Sequence, residues 1–229
     1  TRSGSVTGVQ TCALPILEEI WGWLRSHAAL LSIDEETLAA RVRDSAQRHT
    51  LQALQPTVRY RERLAALEAT NVAKQVLQLL SVEKQRPSFS LRLTETSEPY
   101  AIGGLSITLQ PDRIDELANG GHLLIDYKLG DSHTPRQWLD TKPGRPLRPQ
   151  LPLYGLAHAE TLRGLAYVVL ADGSVEYRGW SDGAYIGEGM LQYPAGVRLR
   201  PEHPADWPSL VDHWRKTLTH PVLDRKSVV

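Results

Sequence analysis

Leu123-Leu124-Ile125-Asp126-Tyr127-Lys128 closes a short, mainly apolar run that starts at His122 and reads as a buried strand. Successive side chains on a strand face opposite ways, so Asp126 and Lys128 project from one face. Burying a carboxylate and an ammonium at the end of such a strand is costly unless they have a partner or a task. Upstream stands Asp112-Arg113-Ile114-Asp115, and between the two segments Asn119-Gly120-Gly121 supplies the positive-φ residues of a hairpin turn. The hairpin lets the carboxylates of Asp112 and Asp126 converge. Downstream, Gln150-Leu151-Pro152-Leu153-Tyr154 opens a predicted short helix over about 150–161, with Gln150 and Tyr154 one turn apart on the same face.

Working outward, Leu17, Ile20, Trp21 and Leu24 recur at helical spacing. Ser32-Ile33-Asp34-Glu35 has the form of a capping box and predicts the start of a second helix through Leu38, Val42 and Ala46. Pro56 interrupts the pattern. A long helix is expected over about 58–83, burying Leu64, Leu67, Val76, Leu77 and Leu80. Arg59, Arg61 and Arg63 read as a solvated face of that helix in preference to phosphate contacts. After Pro87 the period becomes two, through Phe89, Leu91 and Leu93 to Glu95. It resumes through Leu105, Ile107 and Leu109 beyond a Gly103-Gly104 turn. Residues 130–149 hold four prolines and little apolar content, which predicts a mobile loop near the site. Its Trp138 reads as a loop anchor, with stacking on an unpaired base as the alternative. Strands are expected at 164–170 and 175–180 around an Asp172-Gly173 turn, irregular chain over 181–203, and a last amphipathic helix over 206–219. Helices, then a meander of strands, then helix and strand again predict an α+β (α/β) domain with a mixed central sheet flanked by helices.

Composition narrows the classes. Lys+Arg and Asp+Glu balance at 26 each, so no global charge argues for nucleic acid, although a local basic groove would suffice. No apolar run approaches the roughly 18 residues of a membrane-spanning helix, so no membrane partner is expected and a cytoplasmic address is the default. Cys12 is the one cysteine, which excludes a disulfide framework or thiolate metal site within the chain. The histidines show no H-x-H or H-E-x-x-H spacing and read as structural or exposed. No G-x-x-x-x-G-K-[ST] loop occurs, so any ATP-driven motor must lie elsewhere. Residues 1–16 have no periodicity and no secretory pattern. With 225–229 they resemble translated sequencing-adapter read-through and are expected to be non-native tails. The expected division is a helical part over 17–86, then a core with its C-terminal helix over 87–224.

Two carboxylates with open coordination suit Mg²⁺ or Mn²⁺, hard ions that keep waters and accept phosphate oxygens. Such an ion can activate water and stabilise a leaving oxygen, while Lys128 would orient the water or offset charge on phosphorus. Gln150 and Tyr154 would steer the nucleophile and a neighbouring phosphate. The competing reading is a structural ion pair between Asp126 and Lys128 at a strand end. An acid–base carboxylate pair, as in a glycosidase, does not call for that lysine.

The three elements in order resemble the PD-(D/E)xK nuclease superfamily, in particular its RecB-like exonuclease branch. Asp112 matches the first acidic ligand, Asp126-Tyr127-Lys128 the D-x-K element and Gln150 to Tyr154 the Q-x-x-x-Y helix. The core resemblance covers about 85–180. The longer span from Leu17 to Thr219 is similar to the C-terminal nuclease domain of bacterial DNA-repair proteins. It implies a restriction-endonuclease-like core, with Asp112, Asp126 and the Tyr127 carbonyl as metal ligands and Lys128 as catalytic lysine. It also implies DNA ends or single strands as substrate and a helicase-type partner or domain. Three departures stand out. No histidine precedes Leu17 on the first helix, where the branch carries a metal ligand; Leu109 stands where a glycine is common; and no cysteine cluster for an iron–sulfur centre follows. The intact protein is left open on that last point. Loss of the histidine supports the alternative of a catalytically silent DNA-binding or scaffolding module. Asp115 either backs up Asp112 or faces away as a hydrogen-bonding or surface residue, and Glu95 is an extra acid or an exposed strand end.

Overall fold

The computed structural model describes residues 13–55, 60–94, 98–102, 104–130, 132–142, 145–171 and 174–219. The helical layer comes first. Helix α1 (Ala13–Leu24) buries Ala13, Ile16, Leu17, Ile20, Trp21 and Leu24 on one stripe, so it starts four residues before the predicted Leu17. Helix α2 (His27–Ser32) is a short interposed turn that the periodicity does not reveal. It moves the cap. Ser32 ends α2, its hydroxyl donating to the Ala29 carbonyl at 3.0 Å. Asp34 is the N-cap of α3 (Glu35–Ala53), accepting the Thr37 N–H at 2.8 Å.

Helix α4 (Arg61–Glu83) corrects the predicted stripe. Leu64 and Leu67 are exposed, and the buried face runs through Ala65, Ala69, Val72, Ala73, Val76, Leu79 and Leu80. Small alanines allow α4 to lie close against α3, so contact geometry and not side-chain hydrophobicity selects the face. Arg61 is half-buried. Its guanidinium donates to the carbonyls of Leu54, at 2.9 Å, and Leu51 at the end of α3. Arg63 is exposed, and Arg59 lies outside the described residues.

The strands are β1 (Phe89–Thr94), β2 (Glu98–Ile102), β3 (Leu105–Leu109), β4 (Arg113–Leu117), β5 (His122–Leu129), β6 (Asp140–Lys142), β7 (Arg145–Pro146), β8 (Leu162–Ala171), β9 (Ser174–Ser181) and β10 (Met190–Gln192). Helix α5 (Gln150–Ala157) precedes β8, and α6 (Trp207–Thr219) follows β10. A six-stranded sheet has the order β1-β4-β5-β8-β9-β10. Strand β5 is antiparallel to β4 and parallel to β8, so the sheet is mixed, as expected. The α5 crossover makes the parallel pairing possible. In the β4–β5 turn Gly120 takes φ 78°, as the Asn-Gly-Gly signal predicts. Strand β1 pairs directly with β4, and β2 and β3 form a separate hairpin. Glu95, Gly103 and the Asp172-Gly173 turn lie outside the described residues.

Residues 130–149 are not one open loop. Thr134 caps a 3₁₀ turn at Pro135–Trp138, and β6 and β7 pair. Trp138 is fully buried and donates to the Tyr167 hydroxyl at 2.8 Å, while its carbonyl accepts the Trp214 indole N–H at 2.9 Å. It anchors the segment and is closed to base stacking. Likewise 181–203 contains β10, parallel to β9. One face of the sheet packs on α1–α4, the other on α5, α6 and the buried tryptophans.

Between sheet and first helical layer lies a buried ionic cluster. Arg113 donates to Asp115 at 2.6 and 2.9 Å, to Glu83 at 2.8 and 3.2 Å and to the Tyr127 hydroxyl at 3.1 Å. Its guanidinium lies 3.9 Å from the Trp21 ring centroid. Arg86 bridges Glu83, Asp115 and Tyr177 at 2.7–2.9 Å. Asp115 is thus a buried hydrogen-bonding residue that faces the helices. Burial alone would raise the Glu83 pKa, but Arg113 and Arg86 outweigh it and hold the carboxyl well below the usual carboxylate range.

Removing one member strands charges that water cannot reach. Arg113→Ala is expected to lower the unfolding free energy by about 3–5 kcal/mol in urea titrations. A loss under about 1 kcal/mol would mean that the cluster does not bear on stability. Because the folded pKa of Glu83 is depressed, its contribution is fully present above the ordinary value of 4.5 and is lost as pH falls below it. The stability gap between wild type and Glu83→Gln should therefore narrow in acid.

Candidate active site

The alternation along β5 divides its side chains between the two layers. Leu123, Ile125 and Tyr127 enter the core under α1–α4, while Leu124, Asp126 and Lys128 face the α5 side. At the strand's C-terminal end a cavity of about 500 Å³ opens. Asp126, Lys128, His133, Arg148, Gln150 and Tyr154 supply its polar lining. Four of the five catalytic candidates, Asp126, Lys128, Gln150 and Tyr154, therefore share one space.

Lys128 Nζ stands 2.6 Å from Asp126 Oδ2, yet that oxygen has no partner in hydrogen-bonding geometry and is buried. Burial raises the Asp126 pKa, with Lys128 pulling against it. Gln150 Nε2 donates to the Tyr154 hydroxyl at 3.1 Å across one turn of α5. That bond realises the expected pairing and leaves the phenol proton free to point elsewhere.

Asp112 sits just before β4. Continuing the β4–β5 register by one residue sets it opposite Asp126. Its Oδ2 accepts the Tyr127 backbone N–H at 2.8 Å, so it is held one peptide from both Asp126 and Lys128. Its crevice is a neighbouring one, shared with Leu17, Glu18, Trp21 and Tyr127. Tyr127 contributes backbone here, since its ring is committed to the buried cluster, where burial foremost drives its phenol pKa up. Among the described residues no group of three or more His, Cys, Asp or Glu is gathered closely enough to hold a metal ion.

Three residues of this region had no sequence signal. Glu18 shares α1 with the core stripe but lines the same crevice as Asp112. His133 and Arg148 come from the segment between β5 and α5 and meet only because Trp138 pins it. Burial first, then the positive charges of Lys128 and Arg148, hold the His133 pKa below its ordinary value.

A structural ion pair and a functional carboxylate predict opposite effects of neutralising Asp126. Without metal, Asp126→Asn relieves a costly buried charge and is expected to unfold at the same or a higher temperature than wild type. A drop of more than about 4 °C would assign Asp126 to structure.

No curated protein matches the chain significantly. The family model for the PD-(D/E)XK nuclease superfamily matches residues 16–221, covering both helical layers and the whole sheet. A mixed sheet between helices is consistent with the restriction-endonuclease-like fold of that group. The chain belongs to the PD-(D/E)XK nuclease superfamily.

Proposed function

We propose that this chain is a metal-dependent DNA nuclease of the RecB-like branch, acting on DNA ends or single strands in repair or recombination. The observation that carries the reading is Asp126 paired with Lys128 at the mouth of a cavity, one peptide from Asp112. The residues fit a hard divalent cation. Asp126 Oδ2 is buried against the Lys128 ammonium at 2.6 Å, and Asp112, Asp126 and the Tyr127 carbonyl offer oxygen donors only. Mg²⁺ or Mn²⁺ needs one or two carboxylates, with waters and substrate phosphate completing the shell. Bound there, the ion would supply Lewis-acid polarisation of the phosphodiester and a more acidic water.

The chain's own groups do the rest. Lys128 can hold the attacking water by hydrogen bonding and place positive charge where negative charge grows on phosphorus. Tyr154, its oxygen already accepting from Gln150, can give its proton to a phosphate oxygen and fix the strand. Arg148 and His133 line the same cavity and supply donors for a second phosphate.

A silent DNA-binding or scaffolding module is the second reading. The absence of a three-ligand cluster among the described residues, with no histidine on α1, favours it. End-labelled linear DNA decides between them. Digestion is expected with Mg²⁺ or Mn²⁺, none with chelator, and at least about a hundredfold loss in Lys128→Ala. A folded chain that binds DNA without cutting it would leave the scaffold reading.

A further inference from the structure

The cavity beside Asp126 has two chemically distinct walls, and the phosphate chemistry draws on the basic one and on Tyr154 alone of the other. Lys128, His133 and Arg148 make the first. His133 also sits in the field of Arg178, which donates to its carbonyl at 3.4 Å from an adjoining pocket. The second wall is apolar. Ile107 and Leu109 come from β3, Leu147 from the segment before α5, and Leu151 and Tyr154 from α5. Tyr167 closes the floor, its hydroxyl taken by the Trp138 indole and its ring met by the edge of His133, with centroids 5.4 Å apart.

Leu147 is 55 % exposed at this rim, a large apolar side chain left in water in the same cavity as Lys128 and Arg148. A site made for phosphate alone needs no such wall. The volume of about 500 Å³ falls within the range of small-molecule pockets, about 300–1,000 Å³. Anionic and flat apolar recognition side by side match a nucleotide, whose phosphate is charged and whose base has an apolar face. A base inside a duplex is stacked and paired and cannot enter such a pocket; an unpaired or extruded base can.

We infer that the wall formed by Ile107 and Leu147, backed by the buried Leu109 and Leu151, is a subsite for one unpaired nucleobase, next to the phosphate held at Asp126 and Lys128. The subsite rests on the nuclease reading and adds to its single-stranded substrate a direct contact with one base.

The test walks one abasic residue along a fluorescent single-stranded oligonucleotide and measures its binding to the Lys128→Ala chain in Mg²⁺. Binding is expected to weaken about tenfold at one position and little elsewhere, with blunt duplex binding more weakly than the intact strand. Leu147→Ser, at an exposed position that the fold does not need, should shrink the penalty at that position only. Uniform binding at every abasic position, a penalty unchanged in Leu147→Ser, or no preference for single strands overturns the subsite. Cleavage by wild type separates the two claims. Mg²⁺-dependent cutting with base-independent binding defeats the subsite and leaves the nuclease; a base-dependent profile in a chain whose wild type never cuts does the reverse.

Discussion

Arg113 sits at the join of everything this fold must hold still. Its guanidinium has no solvent exposure and spends its donors on Glu83 of α4, Asp115 of β4 and Tyr127 of β5, with the Trp21 ring of α1 against its face. A buried charge of this kind tolerates few alternatives. Each partner must be where it is or the desolvation cost goes unmet. The cluster thereby fixes α1 and α4 against the sheet at the level of the candidate site. Hydrophobic contact alone would allow those helices to slide by small amounts.

The site inherits that rigidity through covalent neighbours. Asp112 precedes Arg113, while Asp126 and Lys128 flank Tyr127, so three of the candidate residues are adjacent in sequence to members of the cluster. Strand alternation then sends the committed side chains to one face and Asp126 and Lys128 to the other. One face of β5 stabilises, the other is left for chemistry. The exposed side of the arrangement is built differently, from β3, α5 and the segment that Trp138 pins. Those elements can vary their side chains without disturbing the charged core.

How far this was readable depended on whether the signal was local. The β5 alternation, the Asn-Gly-Gly turn, the Q-x-x-x-Y helix turn and the α1 stripe are encoded within a few residues, and the structure places them as the spacing implies. Features fixed by distant partners were not legible. The buried face of α4 follows alanines because α3 lies there, and Leu64 and Leu67 remain outside. Ser32 loses its cap to Asp34 because a short helix intervenes. Arg113 carries no sequence signal of its role, since nothing near it announces Glu83, Arg86 or Tyr177. His133 and Arg148 were unreadable for the same reason: their meeting requires a buried tryptophan bound to β8 and α6.

The central claim is that Asp112 and Asp126, opposite one another by the β4–β5 register and linked through the Tyr127 N–H, serve a single cation. Electron paramagnetic resonance of added Mn²⁺ tests this without asking the chain to cut anything. The account predicts one saturable Mn²⁺ site that is competed by Mg²⁺ and lost in both Asp112→Asn and Asp126→Asn, with each variant still folded. Mn²⁺ binding that survives either substitution would contradict it, because the two carboxylates would then not share an ion.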